Sequence, residues 1–123
     1  MAGVRRFEDL IAWQLAMELA AMIHEISETG PSTRDAEFRG QLRASAKKAP
    51  ALIAEGFLRF TRLEFVRYLR MARAEIGEVQ NHLEFARRRR LFSASQLDQA
   101  TVLAKRAMVA TSRLLKSKLV PPT

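Results

Sequence analysis

A chain of 123 residues with 48% hydrophobic side chains and a net charge of +8 has the size of one domain and enough apolar material for one modest core. It contains no cysteine, which removes disulfides, thiolate zinc sites and cysteine nucleophiles from consideration. Gln14, Glu18, His24 and Glu25 interrupt the first apolar segment, so no run is long enough to span a bilayer, and Met1–Phe7 lacks the features of a secretory signal. A cytoplasmic protein with no membrane partner is expected.

Four helices and no strand are predicted, at about 9–28, 34–56, 62–89 and 94–118 in a single domain spanning 1–123. The first stops before Gly30-Pro31, strong turn punctuation. Thr33 is a candidate cap for the second helix, and Gly56 a candidate left-handed residue at its end. Pro50 falls inside that helix, where it cannot donate a backbone hydrogen bond and crowds the carbonyl of Ala46, so a kink is expected there. Thr61 with Glu64, and Ser93 with Gln96, are spaced as capping boxes for the third and fourth helices. Val120–Thr123 reads as a frayed tail.

The third helix has the cleanest period. Phe65, Leu69, Ala72, Ile76, Val79, Leu83 and Ala86 recur at alternating four and three residues and share one stripe. The fourth presents Leu97, Ala100, Leu103, Ala104, Ala107, Met108, Thr111, Leu114 and Leu115 on a comparable face. Short loops between helices of this length favour antiparallel neighbours, hence an up-down-up-down four-helix bundle. The first helix is apolar around most of its circumference, with only Gln14, Glu18, Glu25 and Glu28 in a narrow polar sector. One bundle seam uses a stripe little more than 100° wide, so the surplus predicts a subunit interface. Ile11, Leu15, Leu19, Met22 and Ile26 are its expected members, joined by Val102 and Val109 on the back of the fourth helix.

Phe7-Glu8-Asp9-Leu10 with Trp13-Gln14, then Gln41-Leu42-Arg43, Pro50 and Ile53-Ala54-Glu55-Gly56, and finally Glu64-Phe65, Tyr68-Leu69, Ala72, Glu78 and Leu83 stand in a characteristic order. This order resembles the four-helix-bundle family of proteins encoded in intervening sequences of bacterial 23S ribosomal RNA. The resemblance covers nearly the whole chain. It implies a ring-shaped homopentamer, and kinship with basic pentameric accessory proteins of diversity-generating retroelements that bind nucleic acid and a reverse transcriptase. The chain departs from the family pattern at Ala51-Leu52, where Ser-Asn is usual, and at Ala74-Glu75, where Gly-Ser is usual. Asn81 replaces a threonine, and Arg89-Arg90-Leu91-Phe92 stands where Leu-Gly-Tyr-Leu is common.

The net charge favours an anionic partner, and its arginines suit bidentate contacts with phosphate. Arg87, Arg88, Arg89 and Arg90 form the densest run, at the end of the third helix, where cations also complement the helix dipole. Arg59, Arg62, Arg67, Arg70 and Arg73 precede them; Arg67, Arg70 and Arg88 share one broad sector, whereas Arg62 and Arg73 lie elsewhere. These nine are the candidate RNA or DNA contacts. Phe60, Phe65 and Tyr68 are expected in the core rather than as base-stacking platforms.

Glu75, Glu78 and His82, with His24, could imitate a metal site, but bundle di-iron centres need Glu-x-x-His on each of two helices. Glu78 and Glu55 are expected instead to partner arginines such as Arg43. No metal, cofactor or catalytic residue is expected, and no glycine-rich phosphate loop or hydrolase motif occurs. The leading expectation is a non-catalytic, basic, oligomeric module that contacts nucleic acid through phosphates. The alternative is a protein-interaction scaffold, with an unidentified protein partner, whose charge does not serve nucleic acid.

Overall fold

The computed structural model describes residues 3–121. Four helices account for most of them: α1 (Ile11–Ile26), α2 (Ala36–Phe57), α3 (Arg62–Arg89) and α4 (Ala94–Leu119), with no strand among the described residues. Each helix packs against two others, α1 on α2 and α4, and α3 on α2 and α4, as in a bundle. All seven predicted α3 stripe residues are buried, and Leu69, Ala72, Ile76 and Val79 are wholly so. They meet Leu19 and Ile23 of α1, Leu42 and Ile53 of α2, and the small Ala100, Ala104 and Ala107 of α4 in one core. Burying each large aliphatic contributes about 1.5–3 kcal/mol.

α1 is shorter at both ends than expected. Phe7–Asp9 forms a 3-10 turn, and Leu10 is extended, so the α-helix starts only at Ile11. Gln14 Nε2 ties the turn down by donating to the Glu8 carbonyl at 2.9 Å, and Phe7 meets Trp13 edge to face. At the other end the buried Ser27 hydroxyl donates to the Ile23 carbonyl at 2.6 Å. The terminal carbonyls of α1 are then taken by α2: Arg39 Nε donates to Ser27 O, and Arg43 Nη2 donates to His24 O. Guanidiniums there satisfy orphan acceptors and complement the negative end of the helix. Arg43 also pairs with Glu28 at 3.2 Å, so Glu28 is its partner rather than Glu55 or Glu78. Glu55 pairs with Arg59, and Glu78 accepts the Ser45 hydroxyl at 2.9 Å.

The cap of α2 is Asp35, which accepts the Phe38 N–H at 3.1 Å; Thr33 sits in a 3-10 turn, Pro31–Arg34, and donates to the Gly30 carbonyl instead. α2 continues through Gly56 to Phe57. Gly56 is therefore no left-handed cap. Its value is proximity, because a Cβ there would stand 2.6 Å from Tyr68 Cβ of α3. The helical assignment also runs unbroken through Pro50, whose ring is buried. Thr61 accepts the Glu64 N–H, but the Glu64 carboxylate takes the Thr61 hydroxyl rather than its backbone, so this box is incomplete. Ser93 and Gln96 form a full reciprocal box at 3.1 Å each way.

α3 ends in a left-handed residue that the sequence reading did not place. Arg90 has φ 54°, its N–H donates to Arg87 O, and Leu91 N–H donates to Ala86 O at 2.9 Å, with Leu91 buried. This is the Schellman arrangement, normally built with glycine.

Candidate nucleic-acid interface

The nine predicted arginines do not form one patch. At 1.5 Å per residue, Arg62 and Arg89 stand about 40 Å apart at opposite ends of α3, and about 22 Å separates Arg73 from Arg88. The two ends differ in electrostatic setting. At the far end Arg87 is engaged by Glu84 at 3.8 Å and by Asp98 at 3.5 Å, and Arg90 is committed through its backbone to the helix cap. Arg89 lies over the Phe85 ring at 5.7 Å, and Asp35 and Glu37 line a concavity shared with Phe85. That end mixes charges.

The near end does not. Residues 59–73 hold five arginines against Glu64, and residues 105–119 hold five cations and no carboxylate, so these two stretches together exceed the net charge of the whole chain. The fold brings them together: Arg62 Nη1 donates to the Lys118 carbonyl at 2.7 Å, and the Lys118 ammonium lies 6.0 Å from the Phe65 ring. Successive residues turn by 100°, so on α3 Arg62 and Arg73 lie on the side of Arg87, which meets Asp98 of α4. By the same projection Lys105 and Lys116 lie on the Asp98 side of α4. The α3–α4 seam is thus lined by cations from both helices. Arg67, Arg70 and Arg73 are exposed and form no ion pair among the described residues. Like charges left facing water without counter-charges repel one another, an arrangement that an anion relieves. Lys105, Lys116 and Lys118 were missed because only the packing of α4 on α3 places them along the seam with Arg62 and Arg73.

The aromatics divide as well. Phe65 is buried, and Tyr68 is half-buried under the Arg59 guanidinium, 4.8 Å from its ring centre. Phe60 is fully exposed, contrary to its expected place in the core. The predicted interface residues divide too. Leu15 and Leu19 are buried in their own bundle and present no surface to another subunit. Ile11, Val102 and Val109 are exposed, and Met22 and Ile26 are half-buried. Met22, Ile26 and Val102 line a groove of 760 Å³ between α1 and α4, rimmed by Glu18, Glu25, Asp98 and Arg106.

The chain matches the family described as 23S rRNA-intervening sequence protein over residues 8–112. It belongs to that family. No curated protein matches it. The two paired departures from the usual family pattern meet in space: Ala51 and Leu52 on α2, and Ala74 and Glu75 on α3, line one concavity of 530 Å³. Glu75 Oε1 is buried there without a hydrogen-bond partner. Arg90 is the left-handed residue where the family commonly has glycine.

Glu75, Glu78 and His82 do not converge on a ligand. Glu78 is bonded to Ser45, and His82 lies edge-on to Phe38 at 5.8 Å. Among the described residues no three His, Asp or Glu side chains are grouped to hold a metal ion, and no helix is long and apolar enough to cross a membrane.

Proposed function

We propose that this protein is a non-catalytic, basic binding module that contacts RNA or DNA through phosphates, using the α3–α4 seam at the Arg62 end. The observation that carries this reading is the row of cations on the α3–α4 seam, Arg62 and Arg73 facing Lys105 and Lys116 with Lys118 bonded to Arg62, drawn from two stretches, 59–73 and 105–119, that hold one carboxylate between them. Contacts of this kind bind strongly and carry little sequence information. The Arg87–Arg90 run contributes less, because Arg87 is engaged by Glu84 and Asp98 and the run stands about 20 Å or more along α3 from Arg73.

The same reading takes the four helices as an antiparallel up-down-up-down bundle, with successive helices joined by short turns. The family resemblance supports a cytoplasmic ring-shaped homopentamer, and the α1–α4 groove, with Met22, Ile26 and Val102, offers the apolar surface for the neighbouring copy. Light scattering on wild type and Val102→Asp tests the assembly; a wild-type monomer would end that part of the reading.

The deciding experiment is fluorescence anisotropy with labelled structured RNA and duplex DNA across a salt series. On duplex DNA each neutralised phosphate adds about −0.9 to the log–log slope. Arg62→Ala, Arg73→Ala and Lys116→Ala should each flatten it by about that amount, whereas Arg88→Ala should leave it nearly unchanged. An absence of binding at low salt, or a slope indifferent to the first three variants, would refute the assignment. The scaffold alternative would then lead.

A further inference from the structure

Phe60 is the most exposed large apolar side chain among the described residues, at 104% of its reference accessibility, in the turn between α2 and α3. A single exposed ring is ordinary. The setting of this one is not. Beside it opens a pocket of 390 Å³ lined by Arg59, Thr61, Arg62, Ser117 and Lys118 among others, and by no carboxylate. Its cations are held in place. Arg62 is fixed by the Lys118 carbonyl, Arg59 by the face and hydroxyl of Tyr68 and by Glu55, and Lys118 leans toward the Phe65 ring. The site therefore combines a solvated aromatic face, fixed positive charge, and the hydroxyls of Thr61 and Ser117, whose protons go to Glu64 and the Leu114 carbonyl and whose oxygens can still accept.

A ligand that answers all three has a flat aromatic part, a negative charge and polar edges. The geometry points to an unpaired nucleotide, its base stacked on Phe60 and its phosphate held by Arg59, Arg62 and Lys118. The pocket volume lies at the small-ligand end of the usual range, suited to one nucleotide. A base inside a duplex has both faces covered by its neighbours, so Phe60 selects single strands, loops or bulges. This rests on the phosphate-binding reading above and adds the strand state and the point of base contact. Leu58 and Leu63 flank the turn and are exposed too. A second copy seated there would bury them together with Phe60, so the test must separate the two occupants.

The test compares wild type, Phe60→Ala and Phe60→Trp by anisotropy, using a labelled 15-mer of uridine, an abasic strand of equal length and a hairpin-closed duplex. Phe60→Ala should weaken binding to the uridine strand by roughly 10-fold or more, the usual loss for one stacked base. Phe60→Trp should retain it, and the abasic strand should bind wild type as weakly as uridine binds Phe60→Ala. The salt slope and duplex binding should not change, since no phosphate contact is removed. Free AMP identifies the source of the ligand: displacement of the strand supports a mononucleotide, and no displacement supports the strand alone, the Phe60 effect being required in both cases. Equal uridine binding by wild type and Phe60→Ala would overturn the stacking site while leaving the phosphate reading intact. No binding of any probe by wild type would overturn both. Equal loss on strand and duplex, with a change in assembly mass, would make Phe60 an interface residue and overturn the nucleotide site.

Discussion

Two glycines in α2 should respond oppositely to the same substitution. Gly40 is exposed, and a Cβ built there meets nothing within 4 Å. Gly40→Ala therefore removes only the conformational freedom of glycine and should stabilise the protein by about 0.8–1 kcal/mol. At Gly56 the added methyl would stand 2.6 Å from Tyr68 Cβ and 3.0 Å from Phe65 Cδ1, where 3.4 Å is an ordinary contact. The first of these atoms is anchored to the α3 backbone, so no side-chain rotation relieves the clash, and α2 and α3 must separate by about 0.8 Å. Overpacking of this kind costs about 1–3 kcal/mol, more than the helical preference of alanine returns. A net loss of up to about 2 kcal/mol is expected. For a domain of this size 1 kcal/mol moves Tm by about 3–5 °C, so the two variants should bracket wild type by several degrees. Thermal and urea unfolding at one fixed protein concentration would show it, the concentration being held because the proposed assembly would couple to stability. If Gly56→Ala stabilises as much as Gly40→Ala, the close approach of α2 and α3 is wrong.

Arg90→Gly should raise stability by about 0.5–1 kcal/mol, since it removes the left-handed strain at φ 54° and loses only an exposed cation at the helix end; a fall in Tm would refute the Schellman assignment. The Thr111 hydroxyl is buried without a partner, so Thr111→Val, which keeps the shape, should stabilise by about 1 kcal/mol in urea unfolding. Hydrogen bonding to backbone N–H, then to Arg6, holds the Glu8 carboxyl below its ordinary value of 4.5. The ordering of the Phe7–Asp9 turn that it supports should be complete above that value and be lost as pH falls through the lower folded one. The emission of Trp13, the single tryptophan, should report that loss in acid through its contact with Phe7, and Glu8→Gln should abolish the transition.

The helices and the core stripe were legible because burial imposes a period, and in α3 nothing interrupts it from Phe65 to Ala86. Ser93 was legible because its partner Gln96 lies three residues away in the same turn. The choice between Thr33 and Asp35 was not, because both are good caps and only the 3-10 turn at Pro31 moves the start of α2 past the first. Leu15 and Leu19 were assigned to a subunit interface because an all-round apolar helix looks alike whichever neighbour covers it. Phe60 sits between Leu58 and Leu63, and no local pattern distinguishes a ring in solvent from a ring in a core. The different settings of the two arginine groups were not legible for a related reason. Adjacency in the chain suggested Arg87–Arg90, whereas the carboxylate-poor surface is assembled from residues more than fifty positions apart, such as Arg62 and Lys118.

Pro50 has a consequence for the order of assembly. Without neighbours, α2 carries a residue that costs an isolated helix about 3 kcal/mol at its middle, so it has little tendency to form alone. α3 and α4 have no such defect and are joined by a left-handed stop and a full capping box, local features that reward early ordering. We expect the α3–α4 hairpin to form in the folding transition state and α2 to dock onto it afterwards. Truncations such as Ile76→Val should then slow folding, whereas Ile53→Val should mainly speed unfolding. A high φ-value at Ile53 would reverse that order.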